Sequence, residues 1–130
     1  MGFTEDEKNA IVFLRLNNAR QTLEDVKIIV NNKLWNTAAN RLYYACYYAV
    51  SALLVKNNFA AYTHAGVLSQ FGLHFVKKGL ISKEQGKFYK QLFNLRQSGD
   101  YDDWFDSEEK DVMPLLKPAE EFITEIERLC

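Results

Sequence analysis

Three groups of residues in this chain carry chemistry beyond packing. The first is Leu95-Arg96-Gln97-Ser98-Gly99-Asp100-Tyr101, where Arg96 falls beside Tyr89 and the apolar positions of its segment, away from the lysines. A guanidinium on an apolar side is costly unless paired, so it should meet a carboxylate, a backbone carbonyl or a phosphate. Asp100 and Asp102 are the nearest acids in sequence. Two readings stand: a helix clasp in which Arg96 pairs an aspartate and Tyr101 packs on another helix, or a site that accepts phosphate. The second group is His64, directly after the helix-capping residue Thr63. A helix N-terminus attracts anions and keeps imidazole neutral, although a polar first-turn residue needs no such role. The third is Arg41 with Tyr44 and Tyr48, a cation among aromatics on one helical face. Gly-rich phosphate loops, HExxH, paired cysteines and GxSxG are all absent from the sequence, so the motif-borne phosphate loop, zinc protease and serine hydrolase readings have no support. Glu108-Glu109 read as a charged first turn, and His74, among Phe71, Leu73 and Phe75, as a packed or surface residue.

The elements that must position these groups read as helices throughout. The organising stretch is Ala38 to Val55, AANRLYYACYYAVSALLV, in which Ser51 is the one clearly polar residue after Arg41. At helical spacing it resolves into three faces: Leu42, Cys46, Ala49 and Leu53; Tyr43, Tyr47, Val50 and Leu54; and Arg41, Tyr44, Ala45, Tyr48 and Ala52. A helix apolar nearly all round is buried among other helices, and this run is shorter than the roughly 20 residues a bilayer crossing needs. Before it, Thr4-Glu5-Asp6-Glu7 forms a capping box, and Val12, Leu16, Ala19, Leu23, Val26 and Val30 predict a helix over 5–31. Asn31-Asn32-Lys33 breaks that helix, Asn36 is the expected N-cap of the central one, and Asn57-Asn58 its fraying end. Thr63 should cap a third helix bearing Val67, Phe71, Leu73, Phe75 and Val76 and ending at Gly79. Ser82 to Gln85 opens a fourth, with Lys83, Lys87, Lys90, Asn94 and Gln97 on one side and Phe88, Leu92 and Leu95 opposite; Gly99 is its expected stop. A fifth, capped by Asp106 or Ser107, carries Leu115, Ala119, Phe122, Ile123, Ile126 and Leu129, and Pro114 with Pro118 should make its first half irregular. The pattern holds no strand alternation, internal repeat or low-complexity segment.

Composition bounds the class. A chain of 130 residues, 48% hydrophobic and 25% charged with six Gly and two Pro, reads as one globular domain spanning 1–130. Cys46 and Cys130 show neither disulfide nor metal spacing and suit reduced thiols in the cytoplasm. MGFTEDEKNA lacks the basic and apolar regions of a secretion signal, and Asp6 stands where myristoylation wants Ser or Thr. The net charge of −1 is uneven: residues 100–111 carry seven acids against Lys110, and the segment from Lys77 to Arg96 carries six basic residues against Glu84. Such asymmetry can mark a polyanion partner, but most charge runs are solvated faces. Phe59, Tyr62, Trp104 and Phe105 are large apolar residues in connections, which predicts a homodimer burying part of that set.

Three pieces in order carry a resemblance: Arg41-Leu42-Tyr43-Tyr44-Ala45, His64-Ala65-Gly66, and Arg96-Gln97-Ser98-Gly99-Asp100-Tyr101. In the pattern R-x-Y-Y-A, H-x-G and R-x-x-x-D-Y the chain resembles the HEPN domain family, in the small all-α branch called UPF0332, over most of its length. The resemblance implies a four- or five-helix bundle that dimerises, often beside a minimal nucleotidyltransferase, with several branches acting as metal-independent ribonucleases or toxins. It puts Arg96, Asp100, Tyr101, Arg41 and Tyr44 against RNA or a nucleotide. The chain departs from the ribonuclease members, in which arginine is followed after four to six residues by histidine: here Tyr101 holds that place and no histidine follows. A phenol with a pKa near 10 is a poor base at neutral pH. The reading is therefore an all-α bundle of about five helices, without cofactor or metal, acting with a nucleotidyltransferase in a toxin–antitoxin-like pair. Its rivals are an RNA endonuclease using Arg96 with His64 or Tyr101, and a structural dimer in which Arg96 is only a clasp.

Overall fold

The computed structural model describes residues 2–101 and 106–130, with the backbone alone for Tyr101. Every regular element among them is helical: α1 (Glu5–Asn31), α2 (Trp35–Lys56), α3 (His64–Phe71), α4 (Lys83–Tyr101), the single turn α5 (Glu109–Val112) and α6 (Leu116–Leu129). α1 starts on the expected capping box, Glu7 N–H donating to Thr4 Oγ1 at 3.1 Å and Thr4 N–H to Glu7 Oε1 at 2.9 Å. It ends where Lys33 takes a left-handed φ of 57°. α2 is the centre of the bundle: Leu42, Tyr43, Ala45, Cys46, Ala49, Val50, Ala52 and Leu53 have no exposed surface. Around it α1 contributes Ala19, Leu23 and Val26, α3 Val67 and Phe71, α4 Tyr89 and Leu92, and α6 Ala119, Phe122, Ile123 and Ile126, all in one apolar cluster.

Four local features differ from the sequence expectations, each for a physical reason. Asn36 is not a cap: it lies inside α2, whose cap position, two residues earlier, is Leu34 and makes no side-chain capping bond. The Asn36 amide is spent on the chain before α5 instead, its Nδ2 donating to Asp106 Oδ1 and its Oδ1 accepting the Ser107 N–H, both at 2.7 Å. Gly99 does not stop α4, which runs through it to Tyr101; glycine ends helices when it adopts positive φ, and among the described glycines Gly79 alone does so. Neither Asp106 nor Ser107 caps the following helix. Glu108 does, with Asp111 as reciprocal partner, Glu108 N–H donating to Asp111 Oδ2 at 2.9 Å. Leu73, expected among the core positions, is 50% exposed, because α3 widens into a π turn over Gly72–Val76 and rotates its residues out of register.

The expected stop and irregularity elsewhere are present. Gly79 leaves the third helical segment at φ 79°, and a 3₁₀ turn at Met113–Leu115, containing Pro114, joins α5 to α6. Gly86 lets α4 lie close on the π turn, since a Cβ there would come within 2.9 Å of the Val76 side chain. Among the described residues no helix is long and apolar enough to cross a membrane. The result is a bundle that brings the N-terminal half of α2, the first residue of α3 and the last turns of α4 to one end.

Candidate functional site

At that end three helices converge on Tyr43 and Tyr44. α2 supplies both tyrosines together with Arg41, Tyr47 and Tyr48. Tyr43 is fully buried, held between Tyr89 (ring centroids 5.9 Å apart, planes 16° apart) and the edge of Phe93 at 6.2 Å. Its hydroxyl lies 2.9 Å from Nδ1 of His64, and the Tyr44 hydroxyl lies 3.3 Å from Nε2. The imidazole is thus pinned at both nitrogens, with the Tyr47 ring 4.7 Å away at its side. α3 can present His64 there because Thr63 caps the helix, its Oγ1 accepting the Gly66 N–H at 2.9 Å. A Cβ at residue 66 would come within 2.9 Å of that oxygen, so Gly66 protects the cap.

From α4, Arg96 enters the same cluster. Its side chain is only 10% exposed, with Cζ 5.5 Å from the Tyr43 ring centroid and 5.7 Å from that of Tyr44. Nε lies 3.2 Å from Asp100 Oδ2, an ion pair one helical turn apart whose angle leaves the buried Nε–H without an aligned acceptor. Arg41 approaches Tyr44 independently, Cζ standing 4.7 Å from the centroid. Two guanidiniums thus share one aromatic ring, each within cation–π range. Arg41 is held by Asn40, whose Oδ1 accepts from Nε at 3.1 Å and Nη2 at 3.0 Å. Beside them a cleft of ≈ 250 Å³ opens between the start of α2 and the end of α4, lined by Asn36, Asn40, Arg96, Gly99, Asp100 and Ser107 among others.

The electrostatics follow from this packing. Burial, then the Arg96 charge, holds His64 below the usual imidazole value, and Asp100 works against both. Burial pushes the Tyr43 phenol up to about 12, with the Tyr89 hydroxyl and Arg96 pulling it back. Burial also drives Tyr89 well above the ordinary phenol range. Near neutral pH the Tyr43 and Tyr89 phenols and the His64 imidazole are therefore neutral beside the Arg96 guanidinium. A neutral imidazole has one donor and one acceptor nitrogen, so one of its two tyrosine partners donates to it and the other accepts.

Five of the residues singled out in the sequence, Arg41, Tyr44, His64, Arg96 and Asp100, meet at one end of the bundle; the side chain of Tyr101 lies outside the described residues. Arg96 does pair an aspartate, but within its own helix, so the pair does not tie α4 to a second element. His74 is a packing residue as expected, stacked on Phe59 with centroids 3.9 Å apart and planes 7° apart. The pattern missed Tyr43, assigned to a packing face, and Asn36 and Asn40, whose amides line the cleft. The signal for Tyr43 was its neighbour: a tyrosine pair next to a face carrying arginine.

Comparison with known proteins agrees with this architecture. Residues 13–129 match the HEPN domain family. A UPF0332 protein of Thermotoga maritima is 40% identical over 124 residues, covering 95% of this chain and 94% of that one. A Methanocaldococcus jannaschii protein named "Putative toxin MJ0605" is 36% identical over 110 residues, covering 85% of this chain and 81% of its own. The crystal structure of TT1696 from Thermus thermophilus superposes with a TM-score of 0.76 over 92% of this chain and 98% of that one; at 15% identity it is similar in fold alone. The bundle, the order of its three motifs and these matches together make the chain a member of the HEPN domain family, in its UPF0332-like branch.

Proposed function

We propose that this chain is the HEPN component of a toxin–antitoxin-like pair and that the end of the bundle around Arg96 accepts the phosphates of RNA or of a nucleotide. The observation that carries the reading is the pair of guanidiniums, Arg41 and Arg96, converging on Tyr44 beside a polar cleft. A fold alone has little reason to gather two cations on one ring when, among the described residues, one partly exposed carboxylate, Asp100, pairs with Arg96 and Arg41 is held by the Asn40 amide. Guanidinium forks match phosphate oxygens, and tyrosines offer flat surfaces to bases. The relative named a toxin supports the biological setting, and the family's habit of standing beside a minimal nucleotidyltransferase suggests the partner. A homodimer completes the reading.

A second reading, cleavage of RNA without a metal, is favoured by His64. Arg96 would stabilise charge on the phosphoryl transition state while a neutral imidazole takes the 2′-hydroxyl proton. Base work needs a free nitrogen, and Nε2, with the longer 3.3 Å contact to Tyr44, is the one a substrate hydroxyl would claim. Tyr43 on Nδ1 would then keep the ring oriented. The test of the main reading is fluorescence anisotropy with a labelled single-stranded RNA, competed by ATP. Arg96→Ala should weaken binding about tenfold or more, the scale of losing a charge-assisted hydrogen bond. Unchanged binding by Arg96→Ala, or no binding by the wild type, overturns it.

A further inference from the structure

α3, its π turn and the first half of α4 enclose a groove that shares no lining residue with the cleft beside Arg96. Its volume is ≈ 370 Å³, and Leu68, Phe71 and Val76 supply its apolar wall. Lys83, Lys87 and Lys90 line it from α4, all three exposed on successive turns, and no acid faces them there. Among the described residues none of these lysines has an ion-pair partner. Gly72 lies in the same groove, and nothing in the fold asks for a glycine at that point. Its φ of −60° and ψ of −46° are right-handed helical and open to any residue. A Cβ there would meet nothing within 4 Å. Glycine inside a helical segment lowers stability relative to alanine, so its effect here is to keep the groove open. The position is also where the π turn begins, Lys77 N–H donating to Gly72 O at 2.9 Å, and single π turns recur at functional sites.

We infer that this groove docks an acidic amphipathic helix of a partner protein, with the apolar stripe of that helix on Leu68, Phe71 and Val76 and its carboxylates on Lys83, Lys87 and Lys90. The surface is separate from the Arg96 end and does not rest on the RNA reading. The spacing suits a helix. Lys83 to Lys90 spans seven residues, about 10.5 Å or two turns. Carboxylates at i, i+4 and i+7 of a helix lying alongside α4 therefore reach all three lysines, while the apolar residues between those rows face the groove. A nucleic-acid strand matches the site less well. It would pair the lysines but leave the apolar wall in water, and Phe71, the aromatic residue of the lining, is 1% exposed and gives a base no face to stack on.

The experiment is fluorescence anisotropy of the full chain with two labelled model peptides, each of about 16 residues so that a helix can form. Both carry a leucine stripe, flanked by glutamates in one and by lysines in its twin. The acidic peptide should bind saturably and more weakly as salt rises, and the basic twin should not bind. Gly72→Leu should weaken the acidic peptide at least about tenfold, because the added side chain takes the place of an anchor. Its thermal midpoint should not fall, which separates loss of binding from loss of fold. Lys83→Glu, Lys87→Glu and Lys90→Glu together should also weaken the acidic peptide at least about tenfold, by like-charge repulsion, and should admit the basic twin. Labelled RNA should bind Gly72→Leu as it binds the wild type. If the two peptides bind alike, if neither binds, or if Gly72→Leu leaves the acidic peptide unchanged, the docking groove is wrong. If the three reversed lysines weaken RNA while neither peptide binds, the row is a phosphate surface and the inference falls.

Discussion

Replacing Arg96 by alanine separates a structural clasp from a ligand site, and the structure sets the expected size. A clasp made of a fully buried ion pair would cost about 3–5 kcal/mol on losing one partner, because the other charge stays buried and unpaired. Asp100 is not in that position. It is 35% exposed, sits on the same helix and returns to water when the guanidinium goes. A helical pair at this spacing contributes about 0.3–0.5 kcal/mol, and less with arginine N-terminal to the acid, the unfavourable order for the helix dipole. The cation–π contacts with Tyr43 and Tyr44, at 5.5 and 5.7 Å, add about 0.5–1 kcal/mol each. Against these stands the relief of taking a largely buried guanidinium, whose Nε–H lacks an aligned acceptor, out of the protein. Arg96→Ala should therefore lose about 1–2 kcal/mol, read as a shift of the urea midpoint at constant slope. Lys87→Ala, on the exposed side of α4, should stay within about 0.5 kcal/mol of the wild type. A loss of 3 kcal/mol or more (roughly the buried-pair range), with RNA and nucleotide binding unchanged, would make Arg96 a clasp and refute the reasoning.

The assembly, cleavage and pH expectations can be checked with standard assays. Tyr62 at 95% exposure and Phe3 at 59% leave apolar surface at one end of the bundle, and Trp104 and Phe105 of the expected interface lie outside the described residues; sedimentation should give a dimer at roughly tens of micromolar, and a monomer there counts against the interface. If the chain cleaves RNA, the activity should survive EDTA and fall by roughly two orders of magnitude in both Arg96→Ala and His64→Ala. Activity retained by His64→Ala would remove the imidazole from the chemistry. Because burial and Arg96 lower the His64 pKa from 6.5, the unfolded chain takes up the proton first, and stability contributed by the neutral ring is lost as pH falls below about 6.5. His64→Gln should flatten that acid limb in denaturation curves taken from about pH 7 to about pH 5, and an unchanged limb would assign it to other groups.

How far the sequence reached depended on whether a feature is local to one helix. α1, its capping box and α6 repeat an apolar residue every third or fourth position, and burial follows that period because each has one neighbour side, whereas α2, apolar nearly all round, is buried on all its faces. Asn36 and Gly99 depart from their expected roles for a related reason. Their types are permissive, good at ending helices but not compelled to, and the tertiary demand decided: the segment before α5 needed a donor and an acceptor for Asp106 and Ser107, which the Asn36 amide supplies, and no turn was needed at Gly99 before Tyr101. The π turn at Gly72–Val76 was invisible because it changes the period itself, which is how Leu73 reached the surface.

The site is the harder case, since its parts come from three helices. Arg41, His64 and Arg96 were each legible as residues out of place for packing, yet their meeting depends on how α3 and α4 register against α2. That register is set by large side chains the sequence offers only as core: Tyr89 stacks on Tyr43 and on Phe122, with centroids 5.9 and 5.6 Å apart, and Phe71 meets Tyr89 edge-on at 5.4 Å. These rings hold α4 and α6 at the depth where Arg96 comes level with Tyr43 and Tyr44. The same Tyr43 that anchors the core turns its hydroxyl to His64. A residue that is packing at one edge and polar positioning at the other has no distinct pattern in sequence, and that double use is why the site's centre was read as core.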